Sequence, residues 1–219
     1  MSSPTAIAEP RQERSRRTLK RILDAFEAAL ETQTFEEVTV GAICKKAGCS
    51  VGTFYGRVES KDVLLDHLRQ RLFEEVSVTL AQLFSPDRAT TLPLPELLRQ
   101  QLEVLVDFHL QRRGVLRAVI VQARRQTAFA GPTREFNASL LRLAASSWLV
   151  HREQMRHPDP VLAVEQAILM TAGYLREAIV FSELWQTQRA PDRDAHVHQL
   201  SHMLSSYLLA TAPEEADPS

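Results

Sequence analysis

Two cysteines in 219 residues, Cys44 and Cys49, are too few to staple a scaffold. Their spacing fits no common zinc pattern. They read either as small buried hydrophobes or as oxidant sensors, and nothing nearby lowers a thiol pKa. Glycine is also scarce, with seven residues, and most of the eleven prolines stand at the ends or between periodic segments. That pattern speaks against a turn-rich β-sandwich and for helices joined by short connections. No run approaches the roughly 18–20 apolar residues of a membrane span. The N-terminus lacks the apolar stretch and cleavage site of a secretory signal. A glycine-rich phosphate loop, a nucleophile elbow and an H-E-x-x-H pair are all missing. The expectation is a cytoplasmic protein with no catalytic residues, no resident cofactor and no metal.

What is present is an apolar share of 44%, enough for a real core in a chain of this length. Net charge is only −1, but its distribution is uneven. Arg11, Arg14, Arg16, Arg17, Lys20 and Arg21 crowd one segment against Glu13 alone. Lys45, Lys46, Arg57 and Lys61 form a second basic group, while Glu214, Glu215 and Asp217 make an acidic tail. Basic charge gathered at one end is either a solvated face or the electrostatic footprint of a phosphate backbone.

Periodicity divides the chain into a mobile arm (1–12), an N-terminal unit (13–60), a larger bundle (61–211) and the acidic tail (212–219). Leu19, Ile22, Leu23, Phe26, Ala29 and Leu30 trace one face of a first helix. A short helix over 39–46 starts at the N-cap Thr39, with Val40, Ile43 and Cys44 inward. Ala47-Gly48-Cys49 makes a turn. Ser50 caps a second short helix over 50–56, and Ser60 caps a longer one with Val63, Leu64, Leu68, Leu72 and Val76 inward. Further helices are expected at 94–111, 115–127, 132–156, 160–186 and 192–210, separated by Arg113-Gly114, Gly131-Pro132, His157-Pro158-Asp159-Pro160 and Ala190-Pro191-Asp192. The fold class is therefore all-α, about nine helices, with no strand alternation and no internal repeat.

Two short helices around a glycine turn at 39–57 form a helix-turn-helix, whose second helix presents its first residues to a major groove. Those residues, Ser50, Val51, Gly52 and Thr53, are short, so the backbone can approach closely and hydroxyls can reach base edges or phosphates. From Thr39 through the Ala-Gly turn, Ser-x-Gly-Thr-aromatic-Tyr and Ser60-Lys61-Asp62, the segment strongly resembles the DNA-binding domain of TetR-family (AcrR-like) transcriptional regulators. The match spans residues 13–66. The resemblance implies phosphate contacts from Thr39, Tyr55 and Lys61, with Arg57 just beyond the reading helix, and base contacts from Ser50, Val51, Gly52 and Thr53. Val51 stands where lysine or arginine is common, and Val58 where phenylalanine is usual.

The resemblance also implies a dimer and an effector pocket in the bundle. Dimer candidates lie on the apolar segment at 160–186 and the last helix: Val161, Ile168, Gly173, Leu175, Leu200, Leu204, Tyr207 and Leu208. The other reading of these residues is monomer core. Pocket candidates are Phe108, His109, Trp148, His151, Met155, Tyr174, Glu177, Phe181 and Trp185, each also readable as plain core or surface. Arg117, Arg124 and Arg125 could meet an anionic ligand or form a solvated face. His198 and His202, one turn apart, lack a third metal ligand. The implied function is a ligand-responsive, DNA-binding homodimeric repressor acting on a palindromic operator. The alternatives are an enzyme or carrier with a vestigial DNA unit, and a constitutive DNA-binding protein.

Overall fold

The computed structural model of the chain describes residues 11–185 and 191–209. The acidic tail and residues 1–10 of the expected arm lie outside the described residues. The rest is helical: α1 (Arg11–Leu30), α2 (Val40–Ala47), α3 (Val51–Tyr55), α4 (Lys61–Leu83), the single turn α5 (Pro86–Ala89), α6 (Leu94–Gln111), α7 (Arg113–Arg125), α8 (Thr127–Trp148), α9 (Pro160–Tyr174) and α10 (Arg193–Leu209). A 3-10 stretch, Leu149–Gln154, follows α8; a π turn, Leu175–Val180, and a 3-10 turn, Ser182–Leu184, follow α9.

Three short-range caps start α2, α3 and α4. Thr39 Oγ1 accepts the Ala42 N–H at 3.2 Å, Ser50 Oγ the Thr53 N–H at 3.1 Å, and Ser60 Oγ the Val63 N–H at 3.2 Å. Gly48 ends α2 at φ 63°, a left-handed conformation that glycine adopts without strain, and the Cys49 N–H then reaches Cys44 O at 3.0 Å. Ile22, Phe26, Leu30, Ile43, Phe54, Leu64 and Leu65 meet beneath these helices in a closed core. Val63, expected inward on α4, is instead exposed.

Several boundaries depart from the periodicity. Gly131-Pro132 does not break the chain: α8 begins at Thr127 and runs through Pro132. The break comes five residues earlier, at Gln126, whose extended backbone (φ −127°, ψ 121°) is held by its side chain on Asp62 Oδ1 and Gln122 Oε1. The expected helix at 132–156 stops at Trp148, because His151 leaves helical geometry and donates from Nε2 to Ala89 O at 3.1 Å. The expected helix at 160–186 unwinds after Tyr174 into the π turn.

The bundle core is assembled from α4, α6, α8, α9 and α10. A buried polar knot within it is fully paired: Gln101 donates to Leu83 O and Ser147 Oγ and accepts the Trp148 indole N–H at 2.7 Å. Tyr174 Oη lies 3.1 Å from Nδ1 of the buried His196, tying α9 to α10.

α7 joins the two cores. Its Val115, Ala118 and Val119 complete the N-terminal core, while Leu116, Ile120 and Ala123 face the bundle. The joint is a backbone contact at Gly114, where a Cβ would sit 2.3 Å from Leu30 O. The Gly114 N–H, one of the orphan donors at the helix start, is taken by Glu31 Oε1 at 3.2 Å. Around it, Arg71 of α4 and Arg112 both grip Glu27 of α1, and Arg71 also holds Asp24 at 2.8 Å. Such partly buried pairs fix geometry more than they add stability.

Two outcomes follow. Gly114→Ala places a methyl against a carbonyl that no rotamer can move, so it should cost about 2–3 kcal/mol or more. Thermal unfolding would register this as a fall on the order of 5–10 °C. The second concerns pH. Burial holds the His196 imidazole below its ordinary pKa, with Asp192 opposing. The unfolded chain therefore protonates first, near about pH 6.5. Stability should fall as pH drops from about 7 through 6, with no contribution from this group at higher pH. His196→Gln should flatten that part of a Tm-versus-pH curve.

Candidate nucleic-acid interface and bundle cavity

The outer face of the N-terminal unit is made of short, exposed side chains on α3. Val51 and Tyr55 are 48% and 55% exposed, and Gly52 is open beside them. Ser50 and Thr53 share a hydroxyl–hydroxyl hydrogen bond of 2.9 Å, which sets both oxygens at the start of α3. Buried Phe54 anchors the helix from behind and meets the Tyr55 ring edge-on, with centroids 5.2 Å apart. Thr39, Lys45 and Lys46 lie exposed on α2. The Arg21 guanidinium lies beside the Gly48 turn, 3.8 Å from where a Cβ would project. Exposed Arg14, Arg16, Arg17 and Lys20 precede it on α1. One surface thus combines a short-side-chain helix start with a cationic border.

Two of the sequence-selected cations are spent within the fold. Lys61 Nζ donates to Phe35 O (2.5 Å) and Val38 O (2.9 Å) and lies 4.4 Å from the centre of the Phe35 ring. It ties the start of α4 to the α1–α2 connection. Arg57 folds back along α3 and donates from Nη1 to Thr53 O at 2.9 Å; its Nε is buried without a partner among the described residues. A cation at a helix C-terminus offsets the helix dipole, so Arg57 steadies α3.

The bundle encloses a cavity of about 440 Å³, within the size range of small-molecule sites. Of the expected pocket residues, Phe108, His109 and Trp148 line it. The others do not. His151 is tied to Ala89, Met155 is packed in the core, and Tyr174 faces His196. Glu177 sits outside the lining on Arg176 (2.9 Å) and Trp185 Nε1 (3.4 Å); Phe181 follows the π turn, and Trp185 is exposed. The walls are filled instead by Phe73, Val76 and Leu80 of α4 and by Phe136, Leu140 and Ala144 of α8. Phe73 and Phe136 stack at 4.0 Å. The α8 residues recur every four positions up to Trp148, a stripe visible in the sequence that periodicity alone cannot tell from solid core.

His109 is enclosed by protein, yet it keeps accessible surface because that surface faces the cavity. Burial lowers its pKa; its Nδ1–H donates to Leu105 O at 2.7 Å, which leaves Nε2 as an acceptor. Arg124, from the expected cationic set, lies on the lining, joined by Arg134 and Arg176. Arg117 does not: it pairs with Glu183 at 3.1 Å and donates to Leu30 O. Arg125 pairs with Glu36.

The proposed dimer residues separate in the same way. Leu175, Leu200, Leu204 and Leu208 are buried inside the single chain, because α10 packs its apolar stripe against α6 and α9. Ile168 lines the cavity, and Tyr207 packs on the core. Val161 is exposed, and a Cβ at Gly173 would meet no other described residue within 4 Å. Exposed apolar surface on these helices consists of Val161, Leu162, Leu169, Met170 and Met203. Cys44 is buried and Cys49 half-buried in the N-terminal core, and His198 and His202 are exposed on α10.

No curated protein matches the chain. Residues 22–68 match the model of the family "bacterial regulatory proteins, tetR family". Among solved structures, a Mesorhizobium loti protein described as a TetR-family transcriptional regulator is 19% identical, with a TM-score of 0.68 over 89% of this chain and 96% of that one. A tetR-family transcriptional regulator from Streptomyces coelicolor is 22% identical, with a TM-score of 0.61 over 91% of this chain and 82% of its own. A TetR-like regulator from Rhodococcus is also 22% identical, with a TM-score of 0.61 over 90% and 97%. The chain is therefore TetR/AcrR-like, with a tetR-family regulatory domain at residues 22–68 carried on a TetR-type all-helical fold.

Proposed function

We propose that the chain is a cytoplasmic, ligand-responsive transcriptional repressor that binds a palindromic operator as a homodimer and leaves it when a small molecule fills the bundle cavity. The observation that carries this is α7: one face lines the cavity and the other completes the core under the helix-turn-helix. An occupant that moves α7 must move α1 with it, because Gly114 rests on the backbone of Leu30. Release is then a population shift. The occupant binds better to the arrangement whose reading helices no longer match the operator.

In this reading Ser50, Val51, Gly52 and Thr53 meet base edges, Val51 offering its methyls to a thymine methyl. Thr39 and Tyr55, with the α1 arginines, meet phosphates. Arg57 and Lys61 act first by holding α3 and the α1–α2 connection in place. The second copy docks on the exposed stripe of Val161, Leu162, Leu169 and Met170 with Met203. Buried Leu200, Leu204 and Leu208 support that face from within. The domain division proposed at residues 60–61 falls at the start of α4, whose Leu64, Leu65 and Leu68 still pack in the N-terminal core.

Footprinting on the promoter of the protein's own gene should show two protected half-sites about 34–36 Å apart. Absence of protection on any promoter fragment at low salt would sink the assignment. Leu169→Glu should convert dimer to monomer in light scattering and weaken operator binding by more than about tenfold, since one half-site then binds alone. Lys61→Ala should lower the unfolding free energy by about 1–3 kcal/mol, the range for hydrogen bonds to a charged group. It should leave the slope of log K against log salt nearly unchanged, whereas Arg21→Ala should reduce that slope by about one. A lower slope for Lys61→Ala at full stability would make it a phosphate contact instead.

A further inference from the structure

The cavity carries information about its occupant that the fold does not. Its deep wall is apolar and aromatic, contributed by Phe84, Phe108 and Trp148 among others. The hydrogen-bond donors there are already engaged. The Trp148 indole N–H is given to Gln101, the Thr171 hydroxyl to Ala167 O at 2.8 Å, and His109 Nδ1–H to Leu105 O, which leaves His109 Nε2 as an acceptor. A ligand lying deep thus finds almost no donor to pair with, and an acceptor group buried there would go unsatisfied. Among the described residues the lining includes no aspartate or glutamate. A cation would lose its hydration without gaining a counter-charge.

The charge on the lining is of one sign and sits at one level. Arg124 of α7, Arg134 of α8 and Arg176 in the π turn all line the cavity while staying open to solvent, which puts them at its mouth. Arg134 makes no ion pair or hydrogen bond among the described residues. Arg176 is occupied by Glu177, whose carboxylate also feels Arg124. Two of the three guanidiniums therefore share one carboxylate, and Arg134 pairs with none among the described residues. Guanidinium forks suit carboxylate and phosphate groups specifically.

We propose that the cavity takes an anionic amphiphile, with its apolar body among the aromatic residues and a carboxylate or phosphate head at Arg124, Arg134 and Arg176. This rests on the reading of the cavity as the effector site. The head group takes the place at Arg176 that Glu177 now holds, so the ligand competes with a residue of the chain itself. That residue lies in the π turn, next to the 3-10 turn whose Glu183 grips Arg113 and Arg117 at the start of α7.

The test is calorimetric titration of the full chain, without DNA, with four ten-carbon probes: decanoate, decyl phosphate, decanol and decylamine. Both anions should bind at least about tenfold more tightly than decanol and decylamine, as expected for one or two charge-assisted hydrogen bonds. The tighter of the two identifies the head group. In Trp185→Phe, which leaves Trp148 as the sole indole, the same anions should change tryptophan emission with the same midpoint. The paired change Arg134→Ala and Arg176→Ala should bring decanoate to within about threefold of decanol, while Glu177→Gln should tighten decanoate severalfold by removing the competitor. Opposite signs from these variants cannot arise from loss of folding. Equal or tighter binding of decanol or decylamine, no binding by any probe, or indifference to all three substitutions would overturn the proposal. Operator release is scored separately. Decanoate that binds yet leaves the operator complex intact would uphold the ligand class and refute release. Release by a neutral or cationic compound, with no decanoate binding, would do the reverse.

Discussion

The structure turns on one backbone contact. Gly114 opens α7 directly against the carbonyl of Leu30 at the end of α1, closer than any side chain would permit. Because α7 starts there, its two faces are committed: one must fill the core beneath the helix-turn-helix, and the other must wall the cavity. Close-packed interiors transmit displacement instead of absorbing it. The charged residues around the contact serve the same end. Glu27 of α1 and Glu31 just beyond its end are each engaged by groups from elsewhere in the chain, Arg71 and Arg112 in the first case and the Gly114 N–H in the second. They hold an orientation.

The same economy governs the reading surface. Its side chains are short, so its position depends on what lies behind it. Phe54 is wholly buried, Arg57 closes the end of α3, and Lys61 spends its amine on the carbonyls of the α1–α2 connection. A cation that a motif assigns to a phosphate can thus be occupied in building the surface on which the motif stands. Exposed positive charge lies instead on α1 and α2, around the Gly48 turn.

At the other end, the π turn after Tyr174 and the 3-10 turn that follows bring three functions into the nine residues Leu175–Glu183. Leu175, Arg176 and Val180 line the cavity, Glu177 holds Arg176, and Glu183 holds Arg113 and Arg117. π turns are uncommon and concentrate at functional sites. Here the irregularity occurs where a regular helix would have carried a continuous apolar face past the cavity.

By itself the sequence determined the helical class, the caps at Thr39, Ser50 and Ser60, the turn at Gly48 and the run of short side chains from Ser50 to Thr53. Each depends on neighbours within about four positions, where capping, glycine conformation and helical period act. Only the tertiary structure decided the rest. It placed the break before α8 at Gln126 and not at Gly131-Pro132, because the holding contact is with Asp62, 64 residues away. It sent Leu200, Leu204 and Leu208 into the chain's own core and left Val161 and Leu169 outside. It divided the arginines between cavity mouth and structural pairs. A stripe of apolar or basic residues states which face of a helix is special; what that face meets depends on residues far away in the chain, and local spacing carries no record of them.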